Sequence, residues 1–205
     1  MCGGKYKGWE TPRQLTEVCG ERLIDRTIRL LKEIGIPVKD IAISTLSKEF
    51  SDLEPEILVH NNEYGTNPKS YWLDAFYPMN SPVCYLYGDV FYSPEAIERI
   101  VNHQTKGIMF FASASPFDSR YIKRWAEPFA FKVVDTDLFR DSIEKTKYLY
   151  DTKQIRRAIS WELWQVIKGT QPGKIIQNYE IINDYTCDID NDEEIQKIET
   201  ILGEE

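Results

Sequence analysis

In "RLIDRTIRLLKEI" (22–34) the apolar residues Leu23, Ile24, Ile28, Leu31 and Ile34 fall on one face of a helix, and Gly35 follows as a stop signal. The pattern then changes period. "DIAISTL" (40–46) and "EILVH" (56–60) are short apolar runs of strand type. "NPKSYWLDAFY" (67–77) opens on Asn67 as a cap and Pro68 at the first helical position, which predicts a helix closed by Pro78. "PVCYLYGD" (82–89) predicts a strand running into Gly-Asp. "SPEAIERIVNH" (93–103) predicts a second capped helix, with Ser93 as cap and Pro94 at its first position. "GIMFFAS" (107–113) and "FAFKVVDT" (129–136) predict two further strands. A long, mostly helical region is expected from about 138 to 168, ending in "ISWELWQVI". "YEIINDYTCDID" (179–190) ends in acids, and "DEEIQKIETIL" (192–202) predicts a last amphipathic helix.

Helices alternating with strands imply an α/β fold with parallel strands. No repeat or low-complexity linker divides the chain, so 1–205 is expected to be a single domain, and its 205 residues suffice for a sizeable core. The net charge of -8 argues against a general nucleic-acid binder but leaves room for a small anion held by local cations and backbone N–H groups. No run has the length of a membrane span, so no membrane partner is expected. Cys2, Cys19, Cys84 and Cys187 are scattered without C-x-x-C spacing, which fits reduced thiols and a cytoplasmic location. Small exposed apolar patches leave a homo-oligomer open.

Three stretches carry candidate chemistry. Gly3 and Gly4 would let backbone N–H groups approach a phosphate, with Lys5, Lys7 and Arg13 to neutralise its charge. A surface turn near a terminus uses the same letters. Asp89, in "YLYGDVFYS", places a carboxylate at the carboxyl end of a strand, where open α/β sheets bind ligands and where Mg²⁺ finds a partial ligand. A plain turn aspartate reads the same way. In "CDIDNDEE" (187–194), Asp188 and Asp190 alternate along an extended segment, and like charges so close require a cation or water. The simpler alternative is helix capping by Asp190, Asn191 or Asp192, with Glu193 and Glu194 at the positive end of the last helix. His60 and His103 have no catalytic partner nearby in sequence. Cys2 reads as a packing residue and Trp161 and Trp164 as core, with Glu162 solvated or paired. "NNEYGTN" (61–67) is either a base-recognising loop or a turn.

The order of these pieces resembles the sugar-phosphate nucleotidyltransferases, the NTP transferase family with a GT-A-like fold. The resemblance runs along most of the chain. It is best in "GGKYKGWETPRQLTEVCGERLIDRTIRLLKEIGI", where Gly3-Gly4, Pro12-Arg13-Gln14-Leu15 and Gly20 through Ile28 stand for the family's glycine loop, Pro-Lys-x-Leu element and following helix. "YLYGDVFYS" is similar to the Gly-Asp metal motif and "DYTCDIDNDEEI" to the closing Asp-Ile-Asp element. The resemblance implies a mostly parallel, Rossmann-like sheet with helices on both faces. It implies that Gly3, Gly4 and Lys5 line the phosphates of an NTP, and that Lys5 and Arg13 stabilise the pentavalent transition state and the departing pyrophosphate. It implies that Asp89, with Asp188 or Asp190, holds Mg²⁺. The expected reaction moves a nucleotidyl group from an NTP to a sugar phosphate or related phosphorylated alcohol, with release of pyrophosphate. Glu127 is placed only loosely, in an acceptor pocket within 110–165.

The chain departs from the family pattern in three ways. The glycine loop lacks its third glycine and Thr-Arg, arginine stands for lysine at position 13, and the apolar first strand is missing ahead of Gly3. A truncated start, with a few apolar residues lost upstream of Met1, is the expectation. A GT-A glycosyltransferase is one alternative, although "GDVF" offers a single aspartate where Asp-x-Asp would favour it. A degenerate relative that binds a nucleotide or a partner without turnover is the other.

Overall fold

The computed structural model describes residues 1, 9–60, 71–113, 126–171 and 178–203. Gly3, Gly4, Lys5, Lys7, the 61–67 loop and the Asn67-Pro68 helix start lie outside the described residues.

A short antiparallel ribbon of β1 (Glu17–Val18) and β2 (Glu21–Arg22) leads into α1 (Leu23–Glu33). Burial of Leu23, Ile24, Thr27, Ile28, Leu30 and Leu31 follows the predicted face. Gly35 ends the helix at φ +88, and the bonds Gly35 N–H to Lys32 O and Ile36 N–H to Leu31 O form a Schellman close that needs this left-handed residue. Strands β3 (Ala42–Thr45) and β4 (Glu56–Val59) pair in parallel. Strands β5 (Val83–Leu86) and β6 (Val90–Phe91) flank a turn that carries Asp89, and α2 (Pro94–Asn102) follows, with Ser93 Oγ accepting from Ala96 N–H at 2.9 Å as expected of its cap. Next come β7 (Ile108–Ser113), β8 (Pro128–Val133), α3 (Thr136–Asp151) and α4 (Ser160–Ile167). The chain closes with β9 (Glu180–Ile182), β10 (Cys187–Asp188) and α5 (Asp192–Gly203).

The architecture is mixed α/β. Its largest sheet has the order β5-β8-β7-β9. Strand β8 runs antiparallel to both β5 and β7, whereas β9 lies parallel to β7. The predominance of parallel strands expected from the sequence is therefore absent among the described residues. Strands β7 and β8 are joined without an intervening described helix, and an antiparallel return needs no crossover helix to bring the strands together.

Two local expectations also change. Trp72–Ala75 is a 3-10 turn rather than the body of an α-helix. Its aromatic neighbours are fixed by tertiary packing. The Phe76 ring sits edge-on to Trp72, Tyr85, Phe131 and Phe139, with centroids 5.2–5.6 Å away. The helical region after 138 is two helices, broken after Asp151 where Lys153 adopts φ +58.

The main core packs Phe110, Phe131, Phe139, Tyr85 and Trp164 between the large sheet and its helices, with Phe110 and Phe131 stacked at 4.5 Å. A second cluster of Val18, Leu23, Phe91, Cys187, Ile189 and Ile198 ties α1 and α5 to the ribbon of β6 and β10. Each fully buried aromatic ring contributes roughly 2–3 kcal/mol of burial. Cys19, Cys84 and Cys187 lie outside any disulfide. No helix among the described residues is long and apolar enough to cross a membrane.

The chain start has a specific place. The Met1 amino group donates to Leu86 O at 2.6 Å, and Gly88 N–H donates to Met1 O at 2.9 Å. These two bonds make one rung of a parallel ladder beside Tyr87, whose own N–H turns the other way, to Phe129 O of β8.

Candidate metal centre

The centre is assembled where β5 ends. Tyr87 and Tyr92 hold the turn that presents Asp89. The Tyr92 hydroxyl donates to Phe129 O at 2.6 Å and accepts from Tyr87 N–H at 2.9 Å, and the Tyr87 hydroxyl meets Ser160 Oγ at 2.6 Å. Burial pushes both phenols well above their ordinary range, so they act as neutral hydrogen-bonding groups.

The antiparallel pairing of β10 with β6 sets Asp188 opposite Val90, and Ile189 N–H continues the ladder to Asp89 O at 3.0 Å. This register brings Asp89 alongside the segment that carries Asp188 and Asp190, about a hundred residues further on. Arg13 enters from a 3-10 turn, Arg13–Leu15, and is buried. Its Nη2 meets Asp89 Oδ2 at 3.0 Å, and its Nη1 donates to Ile189 O at 3.0 Å and to the Asp190 carboxylate. The three acids and the cation singled out in the sequence thus meet at one place. Gly3, Gly4 and Lys5 are outside the described residues.

Two further carboxylates complete the cluster. Glu127 is buried at the head of β8. Its N–H donates to Ser113 Oγ at 2.8 Å, and its carboxylate accepts from Asp188 N–H at 3.2 Å. Glu194 accepts from Asp190 N–H at 2.5 Å and Asn191 N–H at 3.2 Å, while Asn191 Oδ1 accepts from Glu194 N–H at 3.2 Å. The reciprocal Asn191–Glu194 bonds are a capping box on α5, which settles the capping residue as Asn191. One oxygen each from Glu127, Asp190 and Glu194 lies within 4.8 Å of the other two. The sequence pattern Asn-x-x-Glu carries the signal for Glu194. No local pattern points to Glu127, which reaches the cluster through sheet packing.

Asp188 is the electrostatic focus. Its Oδ1 is enclosed and has no hydrogen-bond partner among the described residues. Burial foremost, then the negative charges of Asp89, Asp190 and Glu127, push its carboxyl well above the usual range against the opposing pull of Arg13. The donor set is all hard oxygen and strongly anionic, as Mg²⁺ or Mn²⁺ requires, and the enclosed Asp188 oxygen is the atom most in need of a cation. These residues fit a divalent ion. A cavity of about 400 Å³ lies elsewhere, lined by Leu73, Phe76, Tyr85, Phe139 and Lys147, and none of the clustered acids borders it.

His103, Trp161, Trp164 and Glu162, also named from sequence, have structural partners, whereas Cys2 lies outside the described residues. The His103 ring packs edge-on to Phe111 at 5.3 Å. Trp164 is buried core, and Trp161 Nε1 donates to Ala126 O at 3.1 Å. Glu162 pairs with Arg157 at 3.4 Å, and burial pushes its carboxyl up. No protein-family model matches the sequence, and no curated protein matches it.

Proposed function

We propose that this chain is a divalent-metal-dependent nucleotidyltransferase that moves a nucleotidyl group from an NTP to a sugar phosphate or a related phosphorylated alcohol. One observation carries the reading. Arg13, Asp89, Asp188 and Asp190, chosen from three separated motifs, converge on one centre through backbone register and direct ion pairs. Parallel pairing of β3 with β4 and of β7 with β9 is compatible with a GT-A-like arrangement.

In this reading Asp89, with Asp188 or Asp190, holds Mg²⁺, which when bound neutralises charge on the phosphates. The acceptor phosphate oxygen attacks the α-phosphorus in line, the bond to the bridging oxygen breaks, and pyrophosphate leaves with that electron pair. An ionised phosphate needs no protein base. Gly3, Gly4 and Lys5 are proposed to line the triphosphate. Arg13 is proposed to bind phosphate oxygens, for which a planar guanidinium is well shaped.

A second reading keeps the fold and drops turnover. The position of Arg13 on Asp89 and Asp190 favours it, because a cation already neutralises two of the expected metal ligands.

The test is thermal stabilisation by each NTP with and without Mg²⁺, on the parent and on Asp89→Ala, followed by a pyrophosphate-release screen over sugar phosphates. A Mg²⁺-dependent shift with one NTP that is lost in Asp89→Ala, with pyrophosphate release, supports the transferase. A shift without release under any acceptor supports the binding-only reading. No shift with any NTP overturns both.

A further inference from the structure

We infer that the cavity of about 400 Å³ against α3 is a second ligand site of this chain, and that it takes a small neutral aromatic molecule carrying a hydrogen-bond donor. The inference is independent of the metal reading. The cavity lies between α3, the chain from Leu73 to Met79, and the strands β5 and β8, which contribute Tyr85 and Val133. Voids within a packed core rarely exceed a water molecule, whereas sites for small organic ligands run from about 300 to 1,000 Å³. This one has the size of a site. It is also within reach of solvent, because Arg140 and Glu144, both exposed, stand on its border.

The lining decides the body of the ligand. Leu73, Phe76, Tyr85, Phe139 and Ile143 are all buried and all border the cavity. The three rings already form an aromatic array. Phe76 stands edge-on to Tyr85 and to Phe139, each at 5.2 Å, and Tyr85 stacks on Phe139 at 5.5 Å with planes 17° apart. Such an array offers ring faces and ring edges, so a further flat ring extends it with quadrupole contacts that an aliphatic chain does not make. The Tyr85 hydroxyl donates to Tyr77 O at 2.6 Å, and burial pushes it above its ordinary range, so it stays neutral.

The border decides the polar end. Asp74 and Glu144 meet there on one ammonium, that of Lys147, at 2.5 and 2.9 Å. Arg140, the other cation on the border, bonds Asp137 and the Asn80 side chain, each at 3.1 Å. Two carboxylates and two cations balance, so the cavity offers no net charge to attract an ion. A carboxylate has about four acceptor positions, so Asp74 and Glu144 keep capacity for an N–H or O–H after pairing with Lys147. An anionic head would meet the same two carboxylates as like charges. The occupant that fits is neutral, flat and donor-bearing.

The probe is indole, which has a flat apolar body and one N–H donor. N-methylindole lacks the donor, and benzoate carries an anion in its place. Methyl carbon–proton spectra of the parent are recorded during titration without metal or nucleotide, with the Ile143 and Met79 signals assigned through Ile143→Val and Met79→Leu. Indole is expected to shift both signals saturably, with a Kd on the order of 0.1–1 mM for so small a ligand. N-methylindole and benzoate are expected to bind about tenfold more weakly. Ile143→Trp, which fills the cavity from α3, is expected to abolish the Met79 shift while circular dichroism shows an intact fold. No saturable shift by indole at about 5 mM, binding that leaves Ile143 and Met79 unmoved, or undiminished binding to a folded Ile143→Trp would each overturn the site. Benzoate or N-methylindole binding as tightly as indole would overturn the assigned ligand class. Should Ile143→Trp not fold, the Ile143 and Met79 signals of the parent decide the question alone.

Discussion

Asp188 donates its backbone N–H to the Glu127 carboxylate at 3.2 Å, across 61 positions of sequence. The bond ties β10 to the head of β8 and makes Glu127 both a structural acceptor and a charged member of the cluster. The two roles separate by substitution. Glu127→Ala removes the acceptor and should cost about 1–3 kcal/mol of stability. Glu127→Gln keeps an acceptor and removes the charge, so its melting temperature should stay near the parent's while Mn²⁺ affinity falls. Equal destabilisation by both variants in thermal denaturation would sink the separation.

Asp188 should make the metal-free protein less stable as pH rises. Its carboxyl holds its proton to higher pH in the folded chain than in the unfolded one. The folded state therefore binds more protons from about pH 4 upward, and stability falls through the raised value before levelling. Asp188→Asn removes that loss. In EDTA the variant should melt above the parent at about pH 7.5, and the gap should close toward about pH 4. A gap independent of pH would show that Asp188 does not carry the effect.

Tyr92 positions the Asp89 turn without joining the cluster. Tyr92→Phe deletes the hydroxyl that links Phe129 O to Tyr87 N–H. The expected loss of stability is about 1–2 kcal/mol, and Mn²⁺ should bind severalfold more weakly because the turn is less well fixed. Unchanged metal affinity in a destabilised variant would confine Tyr92 to the core.

The α5 capping box should contribute independently of charge compensation. Asn191→Ala should cost about 1 kcal/mol in urea denaturation. If Asn191→Ala leaves stability unchanged, the start of α5 is held by the remaining bonds of Glu194.

Local signals in the sequence were legible where a few neighbouring residues decide the outcome. Helix α1 follows from its apolar face and Gly35, and α2 from Ser93 and Pro94. The grouping of Arg13 with Asp89, Asp188 and Asp190 was legible through motif order. Other features depend on distant partners. Strand alternation carries no direction, so the antiparallel run of β8 could not be read from "FAFKVV". The break after Asp151 sits in polar sequence that is compatible with continued helix. Glu127 has no motif of its own, and its role emerges only when β8 meets β10. The clamp on Arg13 was hidden for the same reason, because the residue that reads as a phosphate ligand is satisfied by acids from the far end of the chain.

The residue Met1 lies against the turn that presents Asp89. Its carbonyl accepts from Gly88 N–H at 2.9 Å, one position before Asp89, while Tyr87 N–H is taken up by Tyr92 from the other side. The Met1 backbone is thus part of the wall behind the acid cluster, and editing the sequence there reaches the cluster through a single peptide group.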